Sequence, residues 1–563
     1  MRLREEWPLL LGIGVGVILL LHPGLAHFGF PRGADWDTYL DSAAHLWIDA
    51  DAFPYAAWRR PLYPFLLGLL GRPVGYVLAG QVMALVSVLV TVVASGVLGR
   101  VLARPWVGGL AAVAAAWMPV VSDGAHWVSP YPVLGMCSAL SLALGVSCCR
   151  WPRWWLAVAV GLCAGACVAL DARGLQTVVT ALCLVALARG LGHTKRAGLV
   201  GIAICGVLLF TAVDQVLATQ VEAELLPLSQ QVELQHQLPW TQPDLIESRM
   251  FGNSPACAGR MDVPLSPEAL ASDCSASMRS QNFEHQRIRG MLPPLWWLLL
   301  LPLTLAPAAW SRRSALVSVL LFGPPLLYMA LAMSWVPFAD RYLAPNAALL
   351  AVLAPLAVHH LALLLGAMRP TAARPLQAAA AAGALALLVL SWPDVRPADL
   401  LDPTSHARKG KAGGEQSYLL DPRDHLLGWI RDDIGPDDLV VGCIGFRLAT
   451  ALLPERPPVL HYPPRAQFCR RVVHRPPLVV GELWLVTLHP LEAPEAMRQQ
   501  HMARIRAAGW EEVELPVDPP EPSYSAQLKK QLRRWHYTGS GDGLTPLQDM
   551  DRPPGGREGA DPG

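Results

Sequence analysis

The feature that most constrains this chain is a series of apolar runs, each about twenty residues long, within its first 392 residues. A helix of that length crosses the hydrocarbon core of a bilayer and bonds its own backbone polar groups. Charged residues make up only 16% of the sequence, against about a quarter in soluble proteins. These observations predict a mainly α-helical, polytopic membrane protein with about eleven transmembrane helices. The predicted spans are Trp7–Leu21, Val74–Leu98, Trp106–Val121, Tyr131–Cys149, Trp154–Leu170, Leu175–Ala188, Leu199–Leu217, Leu292–Trp310, Ala315–Val336, Leu343–Leu365 and Leu376–Trp392.

The connections between these runs alternate in charge, and the alternation predicts the topology. Arginine and lysine concentrate at the amino terminus and in every second connection, which the positive-inside rule places in the cytoplasm. The other connections and everything after Pro393 then lie outside a bacterial cytoplasmic (inner) membrane, including a first outer loop at 28–64 and a large outer loop at 218–290. Gly24-Leu25-Ala26 resembles a signal-peptidase site. We favour an uncleaved first span because it anchors the first outer loop, and either choice leaves that loop outside.

The composition changes after residue 392, and the change predicts a second domain. Residues 393–414 form a polar linker, and 415–540 alternate strand and helix patterns, which is typical of a small α/β domain in the periplasm. The last residues, 541–563, are rich in Gly, Pro and Asp and are predicted to be disordered. The predicted strands are Leu439–Cys443, Leu483–Thr487, Glu512–Leu515 and one near Arg533–Tyr537.

The cysteines fall into two groups. Seven lie in apolar spans, where a thiol behaves as a small hydrophobic group. The other four lie in polar segments that the charge pattern also places outside, and their spacing does not match a zinc site. An even number of cysteines in an oxidising compartment favours disulfides. The predicted pairs are Cys257–Cys274 and Cys443–Cys469.

Acidic, basic and aromatic residues are concentrated in the stretch 33–64, between long apolar spans. It contains Asp35 and Asp37 near its start and Arg59 and Arg60 near its end. Charge beside a bilayer is costly unless it faces a cavity, pairs or binds a ligand, so the stretch is a candidate functional site. The alternative is an exposed loop whose charges only keep it out of the membrane.

This stretch resembles the first outer loop of the GT-C glycosyltransferases. Asp35, followed by Tyr39 and then by Arg60-Pro-Leu-Tyr-Pro64, is most similar to the branch of protein mannosyltransferases and lipid A aminoarabinose transferases. These enzymes use polyprenyl-phosphate-linked sugars, and the resemblance implies that Asp35 is the catalytic base. Many relatives have Glu directly after that Asp, whereas this chain has Trp36 and then Asp37. Asp37 is therefore a second candidate for the catalytic role, and its alternative role is to cap the following helix.

Transfer of a sugar from a phosphate also needs cations that stabilise the leaving group. The planar fork of arginine matches phosphate oxygens. Arg173 lies in the short turn Leu170–Leu175, where many relatives carry Arg or Lys; an ion pair with Asp171 is a compatible structural role. Arg341-Tyr342 resembles an Arg-Tyr pair at the start of a family helix. The predicted substrate-binding residues are Tyr39, Arg59, Arg60, Tyr63, Asp123, Arg173, Arg341 and Tyr342.

Several of these residues also have a simpler structural explanation. Arg59, Arg60 and Tyr342 are also suited to anchor helix ends at the membrane interface. Asp123 is better explained by solvation than by a substrate contact. Asp123 and His126 do not complete a metal-ligand set, and His359-His360 is better explained as interfacial than as a metal pair, so we predict no metal and no cofactor.

The sequence thus predicts a glycosyltransferase that moves a monosaccharide from a polyprenyl-phosphate donor to a glycan, lipid or protein acceptor, with inversion. Its partners are that donor, that acceptor and the membrane lipids; a net charge of +1 without a basic stripe argues against nucleic acid. The absence of nucleotide-binding motifs argues against a nucleotide-driven pump. The rival interpretations are a transporter or flippase of a lipid-linked substrate, and a non-catalytic assembly protein. Transporters usually place their charges near mid-span and often show repeated halves, which this sequence does not.

Overall fold

The computed structural model describes part of the chain. The described residues are 3–26, 36–47, 60–220, 316–324, 340–368, 373–391, 439–442, 459–461, 482–486, 503, 506–507, 509–513 and 532–538. The chain divides into two compact units. The first comprises Met1–Trp36 with Ala57–Gly414, and the second comprises Asp37–Ala56 with Glu415–Gly563.

The described helices cover most of residues 3–220 and parts of 316–391. Short 3-10 helices lie at Asp123–His126, Ala172–Gly174 and Asp340–Asn346, and residues 316–324 are helical. The α-helices are α1 (Leu3–Ala26), α2 (Trp36–Trp47), α3 (Leu62–Val74), α4 (Tyr76–Leu102), α5 (Pro105–Trp117), α6 (Pro119–Ser122), α7 (Pro130–Arg150), α8 (Trp154–Leu170), α9 (Leu175–Ala186), α10 (His193–Gln220), α11 (Ala347–Met368) and α12 (Ala373–Ser391).

Proline and glycine set the helix boundaries and the closest helix contacts. Pro105 and Pro130 begin α5 and α7, where a missing backbone N–H costs nothing. Gly75 joins α3 to α4 with φ of 94°, a backbone conformation that residues other than glycine rarely adopt. Gly12 of α1 packs directly on Gly109 of α5, with no room for a Cβ at the contact. Such close contacts are typical of helices that pack within a membrane.

The helical prediction is confirmed for this part of the chain. Helix α8 has the predicted bounds, Trp154–Leu170, and the other predicted spans from residue 106 to 217 coincide closely with α5, α7, α9 and α10. Within the described residues, the helices that are long and apolar enough to cross a membrane are Tyr76–Leu102, Pro130–Arg150, His193–Gln220 and Leu343–Gly366. The predicted span Leu292–Trp310 and most of Ala315–Val336 lie outside the described residues, so the total of about eleven stays a prediction.

The second unit contains a five-stranded sheet with the order β2-β1-β3-β5-β4. Strand β1 pairs in parallel with β2 and β3, whereas β5 pairs antiparallel with β3 and β4. The short strand β2 was not foreseen from the sequence. The predicted helices, the linker and the tail lie outside the described residues, so the α/β domain and its boundaries stay predictions. The strands are β1 (Leu439–Gly442), β2 (Val459–His461), β3 (Glu482–Val486), β4 (Trp510–Val513) and β5 (Leu532–Tyr537).

Candidate functional site

The acidic start of the predicted first outer loop is only partly described. Asp35 and Arg59 lie outside the described residues, and for Asp37 the structure describes the backbone, within α2, but not the side chain. Helix α2 is amphipathic, and its buried residues include Tyr39, Leu40 and Ala43. The predicted helix after Asp37 is therefore confirmed, while the catalytic assignments of Asp35 and Asp37 stay predictions.

Arg60 lies two residues before α3 and is buried, with 8% of its surface exposed. Pro61 is the N-cap of the helix, and its carbonyl accepts a hydrogen bond from the Phe65 amide at 2.9 Å. The Arg60 Nη1 donates to Oδ2 of Asp214 in α10, an acid with only 1% of its surface exposed. This ion pair, here called the open pair, joins residues 154 positions apart in the sequence.

The open pair leaves several polar atoms without a bond to any residue that the structure describes. These atoms are Nε and Nη2 of Arg60 and Oδ1 of Asp214, and all are buried. Nε and Nη2 form one edge of the guanidinium, with two N–H groups that point the same way. A buried polar group without a partner is costly, so this edge is suited to a ligand with two neighbouring oxygens. On the first turn of α3, the Tyr63 side chain is also buried, with 1% exposed.

Arg173 and Asp171 form a second buried ion pair, here called the closed pair. Asp171 ends α8 in an extended conformation and caps the short 3-10 helix: its Oδ1 accepts from the Arg173 backbone N–H at 2.8 Å. Its Oδ2 accepts from Nη1 of the same arginine at 2.8 Å. Gly174 packs against the Cys167 backbone with no room for a Cβ. The predicted ion pair in this turn is confirmed, and it presents Arg173 as a buried, bonded cation.

Other contacts bring the start of α7, the closed pair and the 3-10 helix Asp340–Asn346 together. Arg173 Nη1 also donates to the Tyr131 hydroxyl oxygen at 3.4 Å. Ser138 Oγ donates to the Pro345 carbonyl at 2.6 Å and lies 2.9 Å from Thr177 Oγ1. The backbone of Arg341 and Tyr342 is therefore held beside α7 and α9, although the side chains of these two residues are not described.

Asp123 and His126 begin and end a short 3-10 helix, and the structure does not describe the side chain of either residue. Among the residues that are described, no group of three or more His, Cys, Asp or Glu side chains could hold a metal ion. His359 and His360 are buried in α11, and His359 packs edge-on against Trp106, with ring centroids 5.5 Å apart. The predicted disulfide residues Cys257, Cys274, Cys443 and Cys469 lie outside the described part.

Sequence reasoning missed Asp214. The signal was present, because Asp214 is the only acidic residue of α10 and follows a largely apolar stretch from Leu199 to Val213. An ionisable residue within a membrane helix marks a functional or paired position. Its partner was not deducible from spacing. Contacts of α3 with both α8 and α10 place the open pair in the same helix bundle as the closed pair.

Comparison with known proteins gives matches at the level of structure. No family model and no curated protein sequence matches this chain. A crystal structure of ArnT from Cupriavidus metallidurans bound to undecaprenyl phosphate is similar with a TM-score of 0.51 and 13% identity, over 94% of this chain and 98% of that one. The apo structure of the same protein gives a TM-score of 0.48 and 12% identity, over 93% of this chain and 97% of that one. An oligosaccharyltransferase from Archaeoglobus fulgidus, in complex with Zn and sulfate, gives 0.45 and 14%, over 80% of this chain and 63% of that one. The first match shows a shared fold, so the resemblance to the GT-C glycosyltransferases is confirmed at the level of the fold.

Proposed function

We propose that this protein is a glycosyltransferase that moves a monosaccharide from a polyprenyl-phosphate carrier to an acceptor at the outer face of the cytoplasmic membrane. The observation that carries the proposal is the open pair, in which a buried arginine keeps one two-donor edge without a bond to any described residue. The ArnT structure with a similar fold was solved with undecaprenyl phosphate, a carrier of the proposed kind.

The two arginines are assigned to the donor phosphate. Arg60 supplies the unbonded edge, and Arg173 supplies a second positive charge from the closed pair. Asp214 and Asp171 compensate these charges in the absence of donor, because an isolated buried cation is strongly unfavourable. When the sugar–phosphate bond breaks, negative charge grows on the phosphate, and fixed cations in a water-poor site stabilise it.

Asp35 is assigned as the base, with Asp37 as the alternative within the same stretch. The acceptor hydroxyl oxygen forms a bond to the anomeric carbon while the bond from that carbon to the phosphate oxygen breaks. The hydroxyl proton passes to the Asp carboxylate, and the electron pair of the broken bond leaves with the polyprenyl phosphate. Attack opposite to the leaving group inverts the anomeric centre. The proposed reaction uses no cofactor and no metal.

The acceptor is a glycan, a lipid or a protein, and residues 415–540 are proposed to position it in the periplasm. This assignment rests on the predicted outer location of the unit and on its lack of a recognisable catalytic motif.

Transfer by the purified full-length protein tests the proposal. In liposomes supplied with undecaprenyl-phosphate-linked hexoses or pentoses and an envelope extract as acceptor, we expect sugar to move to the acceptor and undecaprenyl phosphate to accumulate. Asp35→Asn should abolish this transfer, since an amide cannot accept the proton. Movement of intact donor across the bilayer without cleavage of its sugar–phosphate bond would instead establish a flippase and reject the proposal.

A further inference from the structure

We infer that Asp214 is a positioning residue for the donor phosphate: it holds the Arg60 guanidinium by one nitrogen and thereby keeps the opposite edge turned toward two phosphate oxygens. The inference rests on the proposed function and assigns a role to a residue that the resemblance did not identify.

The location of Asp214 shows that its interaction with Arg60 is specific. Helix α10 exposes large apolar side chains along much of its length, including Leu208, Leu209 and Val216, which is typical of a helix that faces lipid. Asp214 is instead buried, and its Oδ2 accepts from Arg60. The only acid of this helix is therefore directed at Arg60, the arginine that precedes Pro61 and α3.

Arg100 shows how the Nε–Nη2 edge of an arginine binds two neighbouring oxygens. Arg100 of α4 bonds Glu6 of α1 through its Nε and Nη2 atoms, with Nε to Oε2 at 2.9 Å and Nη2 to Oε1 at 2.6 Å. That edge thus spans both oxygens of a carboxylate. In Arg60 the acid is bonded to Nη1, and the same edge is left without a partner among the described residues.

A purely structural ion pair does not explain this arrangement. Pairing for stability alone would favour the two-bond geometry of Arg100 and Glu6, because it satisfies more buried donors and acceptors. The open pair keeps three polar atoms buried and unbonded to any described residue, at a cost that a bound anion would remove. A phosphate has the two neighbouring oxygens and the negative charge that the edge requires.

Binding of undecaprenyl phosphate tests the inference without requiring catalysis. The full-length protein in lipid nanodiscs is titrated with undecaprenyl phosphate, and inorganic phosphate is titrated in a parallel arm. Asp214→Asn keeps the size and one acceptor oxygen but removes the charge that holds Arg60. We expect it to weaken undecaprenyl phosphate binding roughly tenfold, and Asp214→Glu to restore most of the loss.

Two further variants separate positioning from stability. Arg60→Lys keeps the charge that pairs with Asp214 but removes the two-donor edge, so it should weaken binding about as much, and adding Asp214→Asn should weaken it little further. Glu6→Gln disrupts the other ion pair and is the matched control, with unchanged binding expected. In transfer assays, Asp214→Asn should raise the KM for donor roughly tenfold and change kcat much less.

The outcomes identify both the source of the bound phosphate and the role of Asp214. Competition by inorganic phosphate at comparable concentrations, still sensitive to Asp214→Asn, would support the positioning role and assign the site to free phosphate. Normal binding in a folded Asp214→Asn variant would overturn the inference while leaving the proposed function standing. The inference would also be overturned if the loss of binding matched the loss of thermal stability and occurred equally in Glu6→Gln. A wild-type protein that neither binds undecaprenyl phosphate nor transfers sugar would overturn both.

Discussion

The closed pair and the open pair combine the same two residue types in buried surroundings, yet they are built differently. In the closed pair, Asp171 uses both oxygens, one on the Arg173 backbone N–H and one on its guanidinium. In the open pair, Asp214 uses one oxygen and Arg60 one nitrogen, and the remaining atoms lack a bond to the described residues. The closed pair therefore shapes a turn, whereas the open pair leaves polar atoms that the proposed phosphate contact would bond.

The largest expected effect is a loss of transfer rate when the proposed base is removed and both ion pairs are left intact. Asp35→Asn should lower the transfer rate by about 10²–10⁴, because a positioned general base is lost while both arginines remain. Undecaprenyl phosphate binding should stay near the wild-type value. A steady-state transfer assay together with the nanodisc titration checks this, and full transfer activity would move the base to Asp37, two residues along.

The difference between the two ion pairs is tested most directly by removing Asp214, the acid of the open pair. Asp214→Leu leaves Arg60 as a buried cation without its counter-charge, so the free energy of unfolding should fall by about 3–5 kcal/mol. Denaturant titration in detergent measures the change. Glu6→Leu is the matched control, since its pair is about one-third exposed and should cost no more than about 1 kcal/mol. Equal losses in the two variants would contradict the conclusion that Arg60 is buried and depends on Asp214 for its counter-charge.

A change in the closed pair should affect the donor more than the fold. Arg173→Lys keeps a charge beside Asp171 but loses the planar fork, so undecaprenyl phosphate affinity should fall roughly tenfold while the melting temperature changes little. The nanodisc titration and a thermal melt measure the two quantities. A large loss of stability with normal affinity would mean that Arg173 serves the turn alone.

The smallest effect concerns the Glu6–Arg100 ion pair and its dependence on pH. Glu6 precedes the first apolar run, and its hydrogen bonds to Arg100 hold the pKa of its carboxyl below the ordinary value of 4.5. A lowered pKa means that the folded state favours the ionised form, so the pair stabilises the protein above about pH 4.5 and less as the pH falls below it. Wild type should therefore exceed Glu6→Gln in stability by at most about 1 kcal/mol near neutral pH, with convergence in acid. A gap that widens in acid would refute this sign.

Local features of the fold were predictable, and remote contacts were not. The bounds of α8 follow from an apolar run between Arg153 and Asp171, and the closed pair follows from two charges two residues apart in a tight turn. The separate helix α3, before the predicted span at Val74–Leu98, was not among the predicted spans because its 13 residues are too few to cross a bilayer. Strand β2 was missed because three residues carry too little periodicity to identify.

The membrane class, the positions of the main helices and the charged residues that need an explanation could all be read from the sequence. Those properties depend on the length of an apolar run and on the cost of charge in lipid, and both are local. The contact of Arg60 with Asp214 across 154 positions, through a single nitrogen, is visible only in the folded protein. The packing of α3 against α10 selects that partner and that edge, and no spacing along the chain encodes how two distant helices face each other.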